Sequence, residues 1–257
     1  MSGSRPLATP EDVIYLYDGS FNGFLCCVYE SVYSGVVPIS ILPSCDEPIT
    51  LYEVREVETD RGKAERVLSS IPKRISKDAL NLVETVYLSC LVQKELLMLK
   101  FLLRGYREGR KLTTMLGDPD VAPLLKAQKH LLGEAHLLKG FIRFTDYEGA
   151  LAATITPKNF VLPFIANHFT QRFSDEDFMI FDKTHKAALV YQCRRREIIS
   201  LDHIEFPPIS EGEKRYQEMW KRFYNTVSIQ ARENPRCRMS HMPKRYWENM
   251  IEVQDLL

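Results

Sequence analysis

The chain has 257 residues, 45% of them apolar and 26% charged, ordinary values for a globular protein with one large domain or two small ones. Its 34 basic and 34 acidic residues cancel, which excludes a whole-molecule basic field, so any anion site must be a local patch. No apolar run approaches the roughly 20 residues of a membrane span, and the polar start, MSGSRPLATPED, lacks the apolar region of a signal peptide and reads as a loose end.

In chain order, Val13 to Tyr17 (VIYLY), closed by Asp18-Gly19, reads as a strand and turn. Ser20 then caps a helix through Tyr33, with Phe24, Cys27, Val28 and Ser31 inward and Gly35 as its stop. Pro38 to Pro48 reads as loop, and Ile49 to Glu58, which partly alternates, as a strand. Ser76 is an N-cap for a helix carrying Leu80, Val83, Tyr87 and Leu91. A second helical stretch carries Leu97, Met98, Phe101 and Leu102 and stops near Gly105. Asp118-Pro119 opens a third, with a stripe of Val121, Leu124, Leu125, Leu132 and Ala135.

The character changes at Gly140. Phe141 to Phe144 (FIRF) and Leu151 to Thr156 flank a turn at Asp146 to Gly149, a hairpin signal. Asn159 is placed to cap a helix to Phe173, with Pro163 in its first turn. Phe178 to Asp182 and Ala187 to Tyr191 make a second hairpin, and Arg196 to Ser200 a further strand. Ser210 and Glu213 have capping-box spacing and start an amphipathic helix with Tyr216, Met219, Trp220, Phe223 and Val227 expected inward. The expected class is α+β: a helical N-terminal half, then an antiparallel sheet of four or five strands flanked by helices. A mainly helical part at 1–117 with short N-terminal strands and an α+β part at 118–257 are expected, with no linker between them, so the two can form one compact unit.

The segment from Arg232 to Trp247 carries Arg232, Arg236, Arg238, Lys244 and Arg245 against one acid, Glu233, with Tyr246 and Trp247 beside the last two cations. Cations hold phosphates and flat rings stack on bases, so the expected role is a nucleic-acid surface. The alternative is a solvated segment whose Trp247 packs back on the core. Pro235 and Pro243 restrict the chain here.

Four stretches together resemble a bacterial family of uncharacterised proteins assigned to DNA metabolism or DNA repair. They are YLYDGSFNGFL (15–25), KGFIRF (139–144), ITPKNFVLPFIANHFTQRF (155–173) with FMIFDKTHKAALVY (178–191), and NPRCRMSHMPKRYWENM (234–250). The resemblance implies work on DNA beside a radical SAM protein of suspected repair function. It also implies a module sometimes fused ahead of a uracil-DNA glycosylase-type domain, with this chain as the standalone form. It implies no catalytic residue.

For an enzyme, the candidate site is His168 and Arg172, four apart on one helix, with Asp182 and Arg143 brought in from the sheet. A histidine with a carboxylate is a general base, and two arginines hold a phosphate. The competing reading is a core histidine and a structural Arg–Asp pair. His185 sits in a turn, and Glu134 and His136 point to different helix faces. Arg194 to Arg196 read as a hairpin edge. No cofactor or metal is expected: the chain has no GxGxxG, GxxxxGK[ST] or GxSxG, no zinc-like spacing, and no CxxxCxxC for a radical SAM cluster. The six cysteines (Cys26, Cys27, Cys45, Cys90, Cys193, Cys237) lack paired spacing and read as thiols of a cytoplasmic protein. The expectation is a DNA-binding accessory protein, with an enzyme and a protein-interaction scaffold using the 76–110 helices as alternatives.

Overall fold

The computed structural model describes residues 9–10, 12–46, 49–229 and 232–254. Of the expected loose start at 1–12, residues 1–8 and 11 lie outside them and Thr9–Pro10 is a strand, and the end of the expected loop at 47–48 also lies outside them. Two compact units divide the chain, residues 1–130 and 131–257.

In the first unit, β1 (Thr9–Pro10) precedes β2 (Val13–Tyr17). All five β2 residues are buried, as a strand covered on both faces requires. Helix α1 (Phe21–Ser34) follows, its Ser20 hydroxyl accepting from Gly23 N, and Gly35 ends it at φ 76°. β3 (Val36–Val37) pairs in parallel with β1. β4 (Ser40–Pro43) and β5 (Glu53–Glu56) flank β2 in an all-parallel sheet of order β4-β2-β5. β4 thus lies inside a stretch expected to be loop, and β5 is shorter than the strand expected over Ile49 to Glu58.

Helix α2 (Arg61–Arg74) escaped the sequence reading. Its capping Asp60 side chain accepts from Lys63 N, but only Ala64, Val67 and Ile71 are buried, and Pro72 interrupts its last turn. α3 (Lys77–Tyr87) starts at the Ser76 cap and ends before Leu91. α4 (Lys94–Glu108) runs through Gly105 instead of stopping there. A Cβ at Gly105 would lie 2.5 Å from Ile75 Cδ1, so this glycine is a close-packing position within the helix.

The unit boundary falls inside α5 (Ala122–Phe141), after His130. Val121 and Leu124 belong to the first core, Ala135 and Leu138 to the second. Leu131 is buried and Leu132 exposed, one position off the expected stripe.

In the second unit Phe141 still belongs to α5, so FIRF is a helix end and loop rather than a strand. β6 (Thr145–Tyr147) and β7 (Ala150–Ile155) form the hairpin. Helix α6 (Leu162–Arg172) then crosses to β8 (Asp177–Asp182), which pairs with β7 in parallel. β9 (Ala187–Gln192) and β10 (Arg195–Ser200) continue antiparallel, giving a five-stranded mixed sheet of order β10-β9-β8-β7-β6. The expected strand number holds, and the β7–β8 pair departs from the antiparallel expectation because a helical crossover returns the chain in the same direction. Helices α7 (Glu211–Val227) and α8 (Pro235–His241) follow, and a 3-10 turn at Lys244–Asn249 seats Tyr246, Trp247, Met250 and Val253 in the core beside Ile155, Val161 and Leu138.

Candidate nucleic-acid interface

The C-terminal segment is built from its caps. The Asn234 side chain accepts from Cys237 N at 3.0 Å, and Pro235 sits in the first turn, so α8 begins where the chain must turn. Arg232, Arg236 and Lys244 are exposed and Arg238 half-buried. Among the described residues none of the four has an acidic partner, whereas Arg143, Arg194 and Arg245 are each tied to a carboxylate. An open cleft of about 380 Å³ between the end of α7 and α8 is lined by Val227, Ile229, Arg232, Glu233, Cys237 and Arg238, among others.

Three residues expected at this surface are placed otherwise. Trp247 is only 4% exposed, and its Nε1 donates to Met242 O at 2.9 Å. Tyr246 is buried, its ring 5.7 Å from Phe141. Neither ring is presented for base stacking; burial of two large aromatics in the core outweighs their exposure. Arg245 turns inward to Glu134 at 3.0 Å. The Glu134 carboxylate also accepts from Lys158 N at 3.1 Å, Asn159 N at 2.9 Å, Asn159 Nδ2 and Tyr246 Oη at 2.8 Å. Burial alone would raise its pKa; the donors from Lys158, Asn159 and Tyr246 outweigh that and hold it below the ordinary value. Asn159 is therefore spent on this knot rather than on capping α6, whose N-cap is Val161. Lys244 lies 5.5 Å over the Trp247 ring.

His168 and Arg172 share a face of α6, whereas Asp182 and Arg143 each have other partners. Asp182 is fully buried and accepts from Thr184 N at 3.0 Å, His185 N at 3.1 Å and His185 Nδ1 at 2.7 Å. Its partner is thus the turn histidine three residues on. Arg143 binds Glu252 at 2.6 Å and lies 5.4 Å from the Trp220 ring. Arg172 is exposed beside Phe173, and His168 packs edge-on against Phe169. Burial first, then Lys139 and Arg172, holds the His168 pKa below its ordinary value. No hydrogen bond or ion pair joins His168 to Asp182 or Arg143 among the described residues, so the structure supplies His168 with no acid to make it a general base.

A polar cluster of the first unit lies beyond the sequence reading. It lies at the carboxyl end of β2. Asp18 accepts from Ser20 N at 2.9 Å and Thr59 Oγ1 at 2.8 Å, Tyr17 Oη donates to Glu95 at 3.2 Å, and Tyr87 Oη donates to Gly19 O. Burial pushes the Tyr17 hydroxyl well up and Tyr87 up to about 12, and lowers Lys94, whose ammonium donates to Ser89 O at 3.3 Å. These groups are spent on one another, so the cluster locks the β2–α1 turn. The Asp-Gly-Ser turn between strand and helix was the available signal.

A family profile described as a domain of unknown function, DUF4130, matches residues 92–252. The chain belongs to this family. No curated protein matches it. Among solved structures, it is similar to a pGpG-specific phosphodiesterase, PggH, from a Vibrio species, at 11% identity and a TM-score of 0.31, covering 70% of this chain and 81% of that one. Similarity at that level carries neither topology nor chemistry across. Among the described residues no helix is long and apolar enough to cross a membrane, and no group of three His, Cys, Asp or Glu is arranged to hold a metal.

Proposed function

We propose that this chain binds nucleic acid through the cations of its C-terminal segment, as an accessory to a DNA repair or modification enzyme. The observation that carries the reading is the set Arg232, Arg236, Arg238 and Lys244, three exposed and Arg238 half-buried in one short segment, none of them in an ion pair among the described residues and with Glu233 as the one acid among them. In a chain of zero formal net charge, local concentration of unpaired cations is what an anionic polymer would recognise. DNA as the polymer, and a radical SAM protein as the enzyme served, rest on the family resemblance of the four sequence stretches.

Fluorescence anisotropy with labelled oligonucleotides across a salt series tests this. Each phosphate contact contributes about 0.9 to the log–log salt slope on duplex DNA. Changing Arg236 and Arg238 together to Ala should flatten the slope by roughly 1 to 2 units. Absence of binding to single or double strands at low salt refutes the reading.

A further inference from the structure

Helix α7 is oriented opposite to the usual amphipathic helix. Tyr216, Met219, Phe223 and Val227 are 69%, 63%, 57% and 61% exposed, and Trp220 is 38% exposed. At i, i+3, i+4, i+7 and i+11 they form one continuous stripe along the helix. The side that meets the rest of the unit carries Glu213, Gln217, Lys221 and Tyr224, all half-buried. An apolar stripe of this length facing water marks a binding surface.

Its chemistry favours one occupant. Three of the five stripe residues are aromatic, and the Trp220 and Phe223 rings lie 5.8 Å apart. Arg215 and Arg222, seven apart with Glu218 between them, border the stripe on its free side, and Arg143, itself paired with Glu252, lies 5.4 Å from the Trp220 ring on the other. Val227, at the end of the stripe, lines the same cleft as Arg232 and Arg238. Rings flanked by arginines and continuous with unpaired cations suit a polymer with flat faces and a phosphate backbone. From Tyr216 to Phe223 is about 10 Å along the helix, enough for successive bases rather than one. A second copy fits less well: symmetric antiparallel pairing centred on the stripe, between Lys221 and Arg222, would bring Arg222 of each copy beside its mate.

We infer that the outward stripe of α7 is a stacking platform for single-stranded nucleic acid, with Tyr216, Trp220 and Phe223 as the rings. This rests on the nucleic-acid reading above and adds strand preference to it. A duplex hides its base faces and would engage the cations of the C-terminal segment alone.

The test uses the full chain and a thymidine oligonucleotide, alone or annealed to its complement. Trp220 and Trp247 are the two tryptophans, and Trp247 is buried away from ligand. The single strand should quench Trp220 emission, and the duplex should not. Phe223→Ala, at an exposed position that leaves the core intact, should weaken single-strand binding roughly 5- to 150-fold and leave duplex affinity unchanged. Arg236→Ala with Arg238→Ala should weaken both. If anisotropy shows binding to both forms while emission and Phe223→Ala affinity do not change, the platform is refuted and the nucleic-acid reading stands. If neither form binds, that reading fails and takes the platform with it. A dimer in sedimentation that Met219→Glu dissolves assigns the stripe to a second copy and also overturns the inference.

Discussion

Glu134→Gln is the substitution that best tests how the C-terminal segment is held. The side chain is 1% exposed and accepts from two backbone amides, the Asn159 amide and the Tyr246 hydroxyl, while pairing with Arg245. Glutamine keeps the shape but replaces one acceptor oxygen by a donor facing donors, and it leaves the Arg245 guanidinium without its anion. Removing one partner of a buried pair typically costs about 3–5 kcal/mol. Arg245 is 31% exposed, so water screens part of the lost attraction and the lower end, about 3 kcal/mol, is the expectation. For a unit of this size that is a fall in Tm of roughly 10 °C by calorimetry. The double variant Glu134→Gln with Arg245→Met should lose less than the sum of the singles. The pH dependence has a defined sign. The folded-state pKa of Glu134 is depressed, so its contribution is complete above the unfolded carboxylate range near 4.3 and is lost as pH falls through the folded value. The acid limb of the stability profile should therefore be shallower in Glu134→Gln. A loss below about 1 kcal/mol, or an unchanged acid limb, would show that the donors alone hold the segment and that the charge contributes little.

Gly23→Ala should destabilise the first unit by about 1–2 kcal/mol even though it adds helix propensity, because overpacking costs ~1–3 kcal/mol against a gain of up to ~1. The new Cβ would fall on Asp18 Oδ1 and lie 2.9 Å from both Thr59 Oγ1 and Tyr17 Cδ2; a stabilised variant in denaturant unfolding would contradict this packing. Thiol titration of the native chain should modify Cys45, Cys90, Cys193 and Cys237 quickly and Cys26 and Cys27 only on unfolding. Burial pushes the Cys27 thiol up, which slows its reaction further. Rapid modification of all six without denaturant would refute the burial of the α1 pair.

Local signals with a direct physical cause were legible. The Ser20, Ser76 and Ser210 caps each accept from the amide three residues on, as their sequence positions suggest. Four of the five strands of the second unit, β7 to β10, are legible as runs of apolar, β-branched and aromatic residues, whereas β6 begins just after the FIRF run expected to form it. What failed depends on distant neighbours. α2 offers three buried residues in fourteen, too sparse a stripe to see. Gly105 reads as a stop until Ile75 is placed against it. Asn159 reads as a cap until Glu134, from a helix distant in sequence, takes its amide. The His168, Arg172, Asp182 and Arg143 grouping depends on distant neighbours too: helical spacing puts two of them on one element, but only the fold shows that His185 pairs with Asp182 and Glu252 with Arg143.

Helix α7 shows where periodicity ends as an argument. Its stripe was read correctly as a stripe and wrongly as inward. A hydrophobic period states that residues share a face; it does not state what covers that face. Inward orientation is the usual inference because water is the usual alternative. Here the side turned to the protein carries Glu213, Gln217 and Lys221, with Tyr224 as its anchor in the core. The reverse holds twenty residues on, where Tyr246 and Trp247 sit beside cations and read as a wet, stacking segment. They are buried because Met250, Val253 and the Glu134 knot give them a core to enter. The two aromatic groups have thus exchanged the places the sequence suggested. If the chain stacks on bases, α7 supplies the rings and the segment after it supplies the charge, which makes ring loss and charge loss separable by mutation in one molecule.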